Sequence, residues 1–350
     1  MPLFKYFFRR INWLLWSVLM MTCGLKAQSL ESSSNVSILF YNVENLFDTM
    51  DDPVFGDDEF ALNGSRHWTH SRYKKKVDHL YKTIVASGRW DPPDIIGLCE
   101  VENRQVLNDL FRETPLSKYH YEIIHYDSDD ERGIDVALIV RNEKLNLIDH
   151  DVLKPELKHG GQLPTRDILH TRLQIVEDTL HVFVNHWPSR RSGITETIPL
   201  RMEVADLLKK TIDSIQKKDP VAKVIVMGDF NDGPHNESLR DELQVAFWKD
   251  ETIQANRLYG WSGDGQNVPG TYKYQGRWYT FDQFFVSGTL FLNTGGIRVN
   301  PASFQIVSPD FLLMEDELYL GIKPFPTYYG FQYMGGFSDH LPIRLGLTIR

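Results

Sequence analysis

Nine side chains able to hold a metal or move a proton stand where apolar runs of this sequence give way to polar residues: Asn42, Glu44, Glu100, His186, Asp229, Asn231, Asp282, Asp339 and His340. The sharpest case is "VIVMGDFNDGP", Val224 to Pro234, where an apolar run stops at Asp229, Asn231 and Asp232 with only Phe230 among them. A buried strand fixes the position of its last carboxylate. Stopping it there lets that carboxylate meet others carried by distant strands, because ligands of open sheets collect where strands end. Oxygen donors from Asp, Glu and Asn, in a chain whose cysteines are Cys23 and Cys99, suit a hard cation such as Mg2+ or Mn2+ rather than structural zinc. No CxxC, HExxH or EF-hand spacing occurs.

Strands and helices must carry these positions. "VSILFYNVENLFDT" reads as the first strand and "DPPDIIGLCEVEN" as a second that again ends in acids. Between them, "MDDPVFGDDEFALNGSRHWTH" has the Pro, Gly and acid content of a long surface loop. Val77, Leu80, Tyr81, Ile84 and Val85 recur at helical spacing after a Ser71 cap, leaving Lys74 to Lys76 on a solvated face. A short helix is expected over Val106 to Phe111, and strands over Tyr121 to His125, Val136 to Val140, Thr171 to Ile175 and "LHVFVNHWPS". A helix from about Leu200 to Ile215 precedes "KVIVMGDFND", and strands follow at "YTFDQFFVS" and "LPIRLGLTI". Each half thus supplies a helix and then a strand ending in carboxylates, which predicts two sheets sandwiched by helices in one domain.

The first 27 residues stand apart, with Lys5, Arg9 and Arg10 before an apolar run from Trp13 to Met21 and the small Ala27 after it. That is the layout of a secretory signal peptide, cleaved after Ala27; lipidation at Cys23 within "MMTC" is the alternative. The expected organisation is a signal peptide over 1–27, a polar linker over 28–35 and one domain over 36–350. No later run is apolar for the roughly 20 residues of a membrane span, so no transmembrane segment is expected in the mature chain. Removing residues 1–27 leaves 34 basic against 47 acidic residues, a net charge of −13. So acidic a chain lacks the field that draws polyanions, which argues against a dedicated nucleic-acid-binding module but not against a nucleic-acid substrate. Two cysteines, one in an apolar run, provide no disulfide framework.

"ILFYNVENLFD", "IIGLCEVEN", "RGIDVALIVR", "VNHWPSRR", "VMGDFNDGP", "FDQFFVS" and "FSDHLPI" follow one another in the order found in the endonuclease/exonuclease/phosphatase superfamily, and the chain resembles it from about Val36 to Ile349. The resemblance implies a four-layered α/β sandwich, two mixed sheets packed face to face with helices outside, and a metal-dependent phosphoesterase. It also implies roles. Glu100 resembles the principal metal carboxylate, with Asn42 beside it and Asp339 as a further ligand. Asp229 and Asn231 would orient water and phosphoryl oxygens, His340 with its partner Asp282 resembles the catalytic histidine pair, and His186 a second histidine near the leaving group. Mg2+ is the implied cofactor, Mn2+ or Ca2+ the alternatives. Two departures stand out: Cys99 precedes the metal carboxylate where Gln is common, and Glu44 replaces a common Asp.

The same residues have plainer readings. "GDFND" is good turn chemistry, and Glu102 lies on the face of Glu100 if the strand continues. Arg190 and Arg191 suit bidentate phosphate contacts, as does Arg166, yet arginines in a Ser-Gly loop are commonly just solvated. "TYKYQGRWYTF" could stack on bases but reads first as core. The expectation is an exported Mg2+-dependent phosphodiesterase acting on nucleic acid as substrate, without a stable nucleic-acid partner. Lipid, inositol or other small phosphoesters are the alternative substrates, and a non-catalytic scaffold is the rival of another class.

Overall fold

Strands with apolar residues on both faces have to be covered twice. The computed structural model, which describes residues 35–349 except 53–55, 158–159, 161–162, 164, 192, 250–251, 262–265 and 293, covers them with a second sheet on one side and helices on the other. The expected signal peptide and Cys23 lie outside the described residues.

The first half runs β1 (Asn35–Leu46), α1 (His70–Ser87), β2 (Ile95–Val101), α2 (Arg104–Arg112), β3 (Tyr121–His125), β4 (Asp135–Arg141) and β5 (Asn146–Leu153). The second continues with β6 (Ile168–Ile175), β7 (Asp178–His186), α3 (Ile194–Lys218), β8 (Lys223–Asp229), β9 (Ala246–Phe247) and β10 (Leu258–Gly260). Then come the hairpin β11 (Tyr272–Tyr274) and β12 (Arg277–Tyr279), β13 (Asp282–Ser287) and β14 (Ile297–Ile306). Two further hairpins, β15 (Leu313–Glu315) with β16 (Ile322–Pro324) and β17 (Tyr328–Tyr329) with β18 (Gln332–Tyr333), precede β19 (Ile343–Ile349).

One sheet has the order β14-β19-β1-β2-β4-β3 and the other β5-β6-β7-β8-β13-β10-β9. Each has a parallel central pair, β1 with β2 and β7 with β8, joined through α1 and α3 respectively; β19 and β13 lie antiparallel beside β1 and β8. The central pairs therefore finish at the edge where β13 and β19 begin.

Alternation along each strand makes three apolar layers. Phe40, Leu138, Val184 and Met227 meet between the sheets. Leu39, Tyr41 and Leu98 face Leu80, Ile84 and Leu110 of α1 and α2, while Phe183, Val224 and Val226 face Val204, Leu208 and Ile212 of α3. Each fully buried side chain of this size stabilises by about 1.5–3 kcal/mol. Three such layers between four of backbone are the expected sandwich.

Several boundaries differ from expectation. Thr69 rather than Ser71 caps α1, its side chain accepting from the Arg72 amide at 3.4 Å. α3 starts at Ile194, earlier than its apolar stripe, and tolerates Pro199 near its start. The segment after Met50 is not all surface loop, for Phe60 and Trp68 are buried. β5 left no period because it is largely exposed, and β14, with Pro301 within a register break, is not among the expected strands. Among the described residues, no helix is long and apolar enough to cross a membrane.

Close approach at the site end of β8 depends on Gly228, where a Cβ would lie 2.5 Å from the Asn185 carbonyl oxygen of β7. Gly228→Ala should lower the unfolding free energy by about 1–3 kcal/mol in urea titration. Unchanged stability would mean that β7 and β8 have room to part.

Candidate active site

A strand that keeps strict alternation would send Glu100 outward with Leu98. Instead Cys99 pairs with Val136 and Val101 with Asp135, so Glu100 is the extra residue of a bulge, with φ +63. A second register break, in β1 between Asn42 and Leu46, holds Glu44 and Asn45 at φ +51 and +55. Left-handed backbone costs a residue such as Glu about 1–2 kcal/mol, strain that packing around a functional edge can sustain. The bulges turn the acids of the first sheet toward the end of the second.

At that seam Asn42 Nδ2 donates to Asp229 Oδ2 at 3.0 Å, while Asn42 Oδ1 accepts from the Glu44 amide at 2.9 Å. Asp229 Oδ1 accepts from the Asn231 amide at 2.9 Å, and the Asn231 side chain donates to the Trp187 carbonyl at 3.0 Å. His340 Nδ1 bonds Asp282 Oδ2 at 2.7 Å, its Nε2 lies 3.7 Å from Asp229 Oδ2, and Tyr272 stacks on its ring at 4.7 Å. His186 Nε2 lies 3.8 Å from both Asp229 Oδ2 and Glu100 Oε1. Glu100 Oε2 accepts from the Asn45 amide at 3.0 Å. Burial raises the pKa of Asp339, and the nearby charges of Glu100 and Asp229 raise it further. Eight of the residues singled out from the sequence thus converge from the ends of β1, β2, β7, β8 and β13 and from the turn before β19.

The arginines divide. Arg191 is exposed, and its charge reaches His186 and Tyr272. Arg190 is committed to the strand-end loop, through Nε to the Asn231 carbonyl and Nη2 to Asp232, both at 2.6 Å. Arg166 is buried between Asp130 Oδ2 at 2.9 Å and the Trp187 carbonyl at 2.7 Å. Their guanidinium groups shape the walls of the site rather than face into it. Asp232 likewise turns away to Arg201, 2.8 Å distant.

The chain matches the Endonuclease/Exonuclease/phosphatase family over residues 37–348. It belongs to that family. A mannosyl-6-phosphatase of Bacteroides thetaiotaomicron has the same fold at TM-score 0.55 and 16% identity, over 90% of this chain and 100% of that one. The human Nocturnin catalytic domain with bound sulfate follows at 0.54 and 15%, over 90% and 95%. D. rerio TDP2 complexed with single strand DNA product gives 0.50 and 16%, over 90% and 99%. At such identities the likeness speaks to the fold. No curated protein gives a significant match.

Members of this endonuclease/exonuclease/phosphatase family hydrolyse phosphoester bonds with a divalent metal, and the donor set here fits one. Glu100, Asp339, Asp229 and Asp282 crowd one point, and Asp282 Oδ1 is buried without a hydrogen-bond partner. Glu100 and Asp339 would hold the cation. Asn42, turned to Asp229 and the Glu44 amide, serves first as the tie between the sheets.

Burial pushes Asp229 up to about 6, against the pull of His340. His340 goes the other way. Burial opposes its charge, but Asp282 and Asp229 together hold it well above the ordinary imidazole range. Burial and the cations Arg166 and Arg132 drive His186 well below that range, so it stays neutral.

Sequence reasoning missed Lys76, which is buried rather than solvated. Its Nζ donates to Thr327 Oγ1 at 2.5 Å and to the Phe337 carbonyl at 2.6 Å, behind the turn that presents Asp339 and His340. Burial lowers its pKa to about 8 against the pull of Glu44, Asp339 and Glu100. Glu44 accepts the amides of Thr327 and Tyr328 at 2.6 and 2.9 Å, so it anchors the same segment. Glu102 is not a rival ligand, since the bulge sends it to the Asp48 amide at 2.6 Å. The aromatic stretch expected as core is the partly exposed β11–β12 hairpin, which brings Tyr272 to His340.

A raised native pKa means that charged His340 stabilises the fold below its unfolded value of about 6.5, and the contribution is lost as pH rises through the native value. In metal-free protein, Asp282→Asn should bring the His340 titration, followed by imidazole NMR, down toward or below that unfolded value. An unchanged titration would assign the proton to Asp229 alone.

Proposed function

We propose that this protein is an exported, Mg2+-dependent phosphodiesterase that hydrolyses nucleic acid. The observation that carries the reading is the charged His340–Asp282 pair set 3.7 Å from a carboxylate poised near 6, beside a crowd of acids. A divalent cation on Glu100 and Asp339 would supply positive charge to the phosphoryl oxygens. Asp229, near neutrality and fixed by Asn42 and the Asn231 amide, is suited to take a proton from the attacking water. His340 Nε2–H is suited to donate to a phosphoryl oxygen, a role that grows as charge develops in the transition state. Neutral His186 can bond the departing oxygen, and exposed Arg191 can meet a neighbouring phosphate. A scaffold without chemistry would have no physical reason to gather desolvated acids around one point. Export, by cleavage after Ala27 or lipidation at Cys23, is part of the same proposal.

One surface favours the second reading, a lipid or other amphiphilic phosphoester. The tips of the hairpins beside His340 expose Tyr274, Leu318, Leu320, Tyr329 and Phe331. They are tied together by Lys273 Nζ on the Leu320 carbonyl at 2.9 Å and by Lys323 over the Tyr329 ring at 4.7 Å. Leu318 and Leu320 suit acyl chains, and aromatic tips such as Tyr274, Tyr329 and Phe331 suit the headgroup level of a lipid surface. D. rerio TDP2 is complexed with a single strand DNA product and the Bacteroides enzyme is a mannosyl-6-phosphatase, so both kinds of substrate are worth testing here.

Purified residues 28–350 should hydrolyse DNA or RNA with Mg2+ and not with EDTA, and Asp229→Ala and His340→Ala should each lower turnover by at least about a hundredfold while circular dichroism stays unchanged. Turnover only of phosphoinositide vesicles or sugar phosphates would retain the site and replace the substrate. Full activity in either variant would overturn the site assignment.

A further inference from the structure

Away from the acids at the seam, His125 ends β3 and Asp135 begins β4, so the two close the base of the loop 126–134. Both side chains are almost wholly buried, at 3% and 4% exposure, and His125 Nε2 lies 3.2 Å from Asp135 Oδ2. That nitrogen nevertheless has no hydrogen-bond partner, so the close contact is not aligned as a hydrogen bond. Asp135 spends its other oxygen on Ser128, whose amide and hydroxyl donate to Oδ1 at 2.9 and 2.5 Å, leaving Oδ2 to face the imidazole. Asp127 stands at the open side, with Oδ1 3.9 Å from His125 Nδ1 and its side chain 77% exposed. One donor atom from each of the three lies within 4.8 Å of the other two.

Two ligands about 2.0–2.1 Å from a tetrahedral cation are themselves about 3.4 Å apart. The His125–Asp135 spacing is close to that value, and its misalignment as a hydrogen bond is what two lone pairs aimed at a common third point would produce. An imidazole with two carboxylates selects zinc or manganese over magnesium, which takes oxygen ligands and keeps its waters.

We propose that His125, Asp127 and Asp135 form a second cation site, distinct from the catalytic one, which binds Zn2+ or Mn2+ and closes the base of the loop 126–134. Asp127, exposed beside the ring's other nitrogen, would turn onto an ion held by the two buried groups. The loop it closes carries Asp130, whose bond to Arg166 at 2.9 Å leads to the Trp187 carbonyl beside His186. A cation there braces one wall of the active site without touching substrate. The cations of this wall are already paired with other acids, Lys154 at 3.6 Å from Asp129 and 3.9 Å from Asp167, and Arg132 at 3.8 Å from Asp130.

The test is metal stoichiometry, not activity. Chelator-stripped protein is titrated with Zn2+ alone by calorimetry, and Co2+ spectra report the ligand geometry. Wild type should bind one more equivalent than His125→Gln, and Asp127→Asn, an exposed change that leaves the fold intact, should weaken that equivalent by at least about tenfold. The same equivalent should persist in Glu100→Gln, which separates it from the catalytic ion and from the function proposed above. Equal binding by wild type and His125→Gln, or loss of all binding in Glu100→Gln, would reduce the group to an ordinary His–Asp ion pair.

Discussion

The active edge is built around a hydrogen bond that crosses between the sheets, from Asn42 Nδ2 to Asp229 Oδ2, and is seconded there by the His340–Asp282 bond. Two sheets packed through an apolar layer can slide against each other at little cost in burial, because hydrophobic contact is non-directional. The Asn42 amide is directional, and it joins the end of β1 to the end of β8. The β1 bulge sets its position on one side, and the close packing of β8 on β7 at Gly228 sets Asp229 on the other. With the ends locked, β13 and β19 deliver Asp282 and His340 to the same point, since both begin where the parallel pairs stop.

Locking acids together in a buried place raises a second constraint. Asp229 and Asp339 repel each other and Glu100, and burial weakens the solvent that would otherwise soften the repulsion. The protein offsets this with two buried cations of different kinds. His340, charged by its contact with Asp282, works inside the site. Lys76 works behind it, and its two hydrogen bonds fasten the segment that bears His340. A divalent cation on Glu100 and Asp339 would complete the neutralisation, which ties the family's metal dependence to the electrostatics of this edge.

Much of this was legible in residue order. Apolar runs on both faces of "IIGLCEV" and "VIVMGD" announced central strands, and the acids at their ends announced the site. Lys76 was overlooked because three consecutive lysines look like a solvated run. A helical reading locates it: Lys76 follows Tyr73 by three and precedes Leu80 by four, on the stripe that turned out to be buried. Arg201 hides in α3 in the same way, four residues after Thr197 and three before Val204. Arg190 and Arg166 looked like phosphate ligands because sequence records charge without its partner, and their partners, Asp232 and Asp130, lie 42 and 36 residues away.

The sequence by itself determined the layers, the central strands and which residue types stand at their ends, because alternation and strand termination are local properties of the chain. Tertiary structure alone decided which of those residues face one another and in what charge state. Bulges at Glu44–Asn45 and Glu100 override the alternation that a sequence can express. Whether a carboxylate is a ligand, a base or half of an ion pair depends on burial and on neighbours brought from other strands. Those distances exist only once the two sheets have closed.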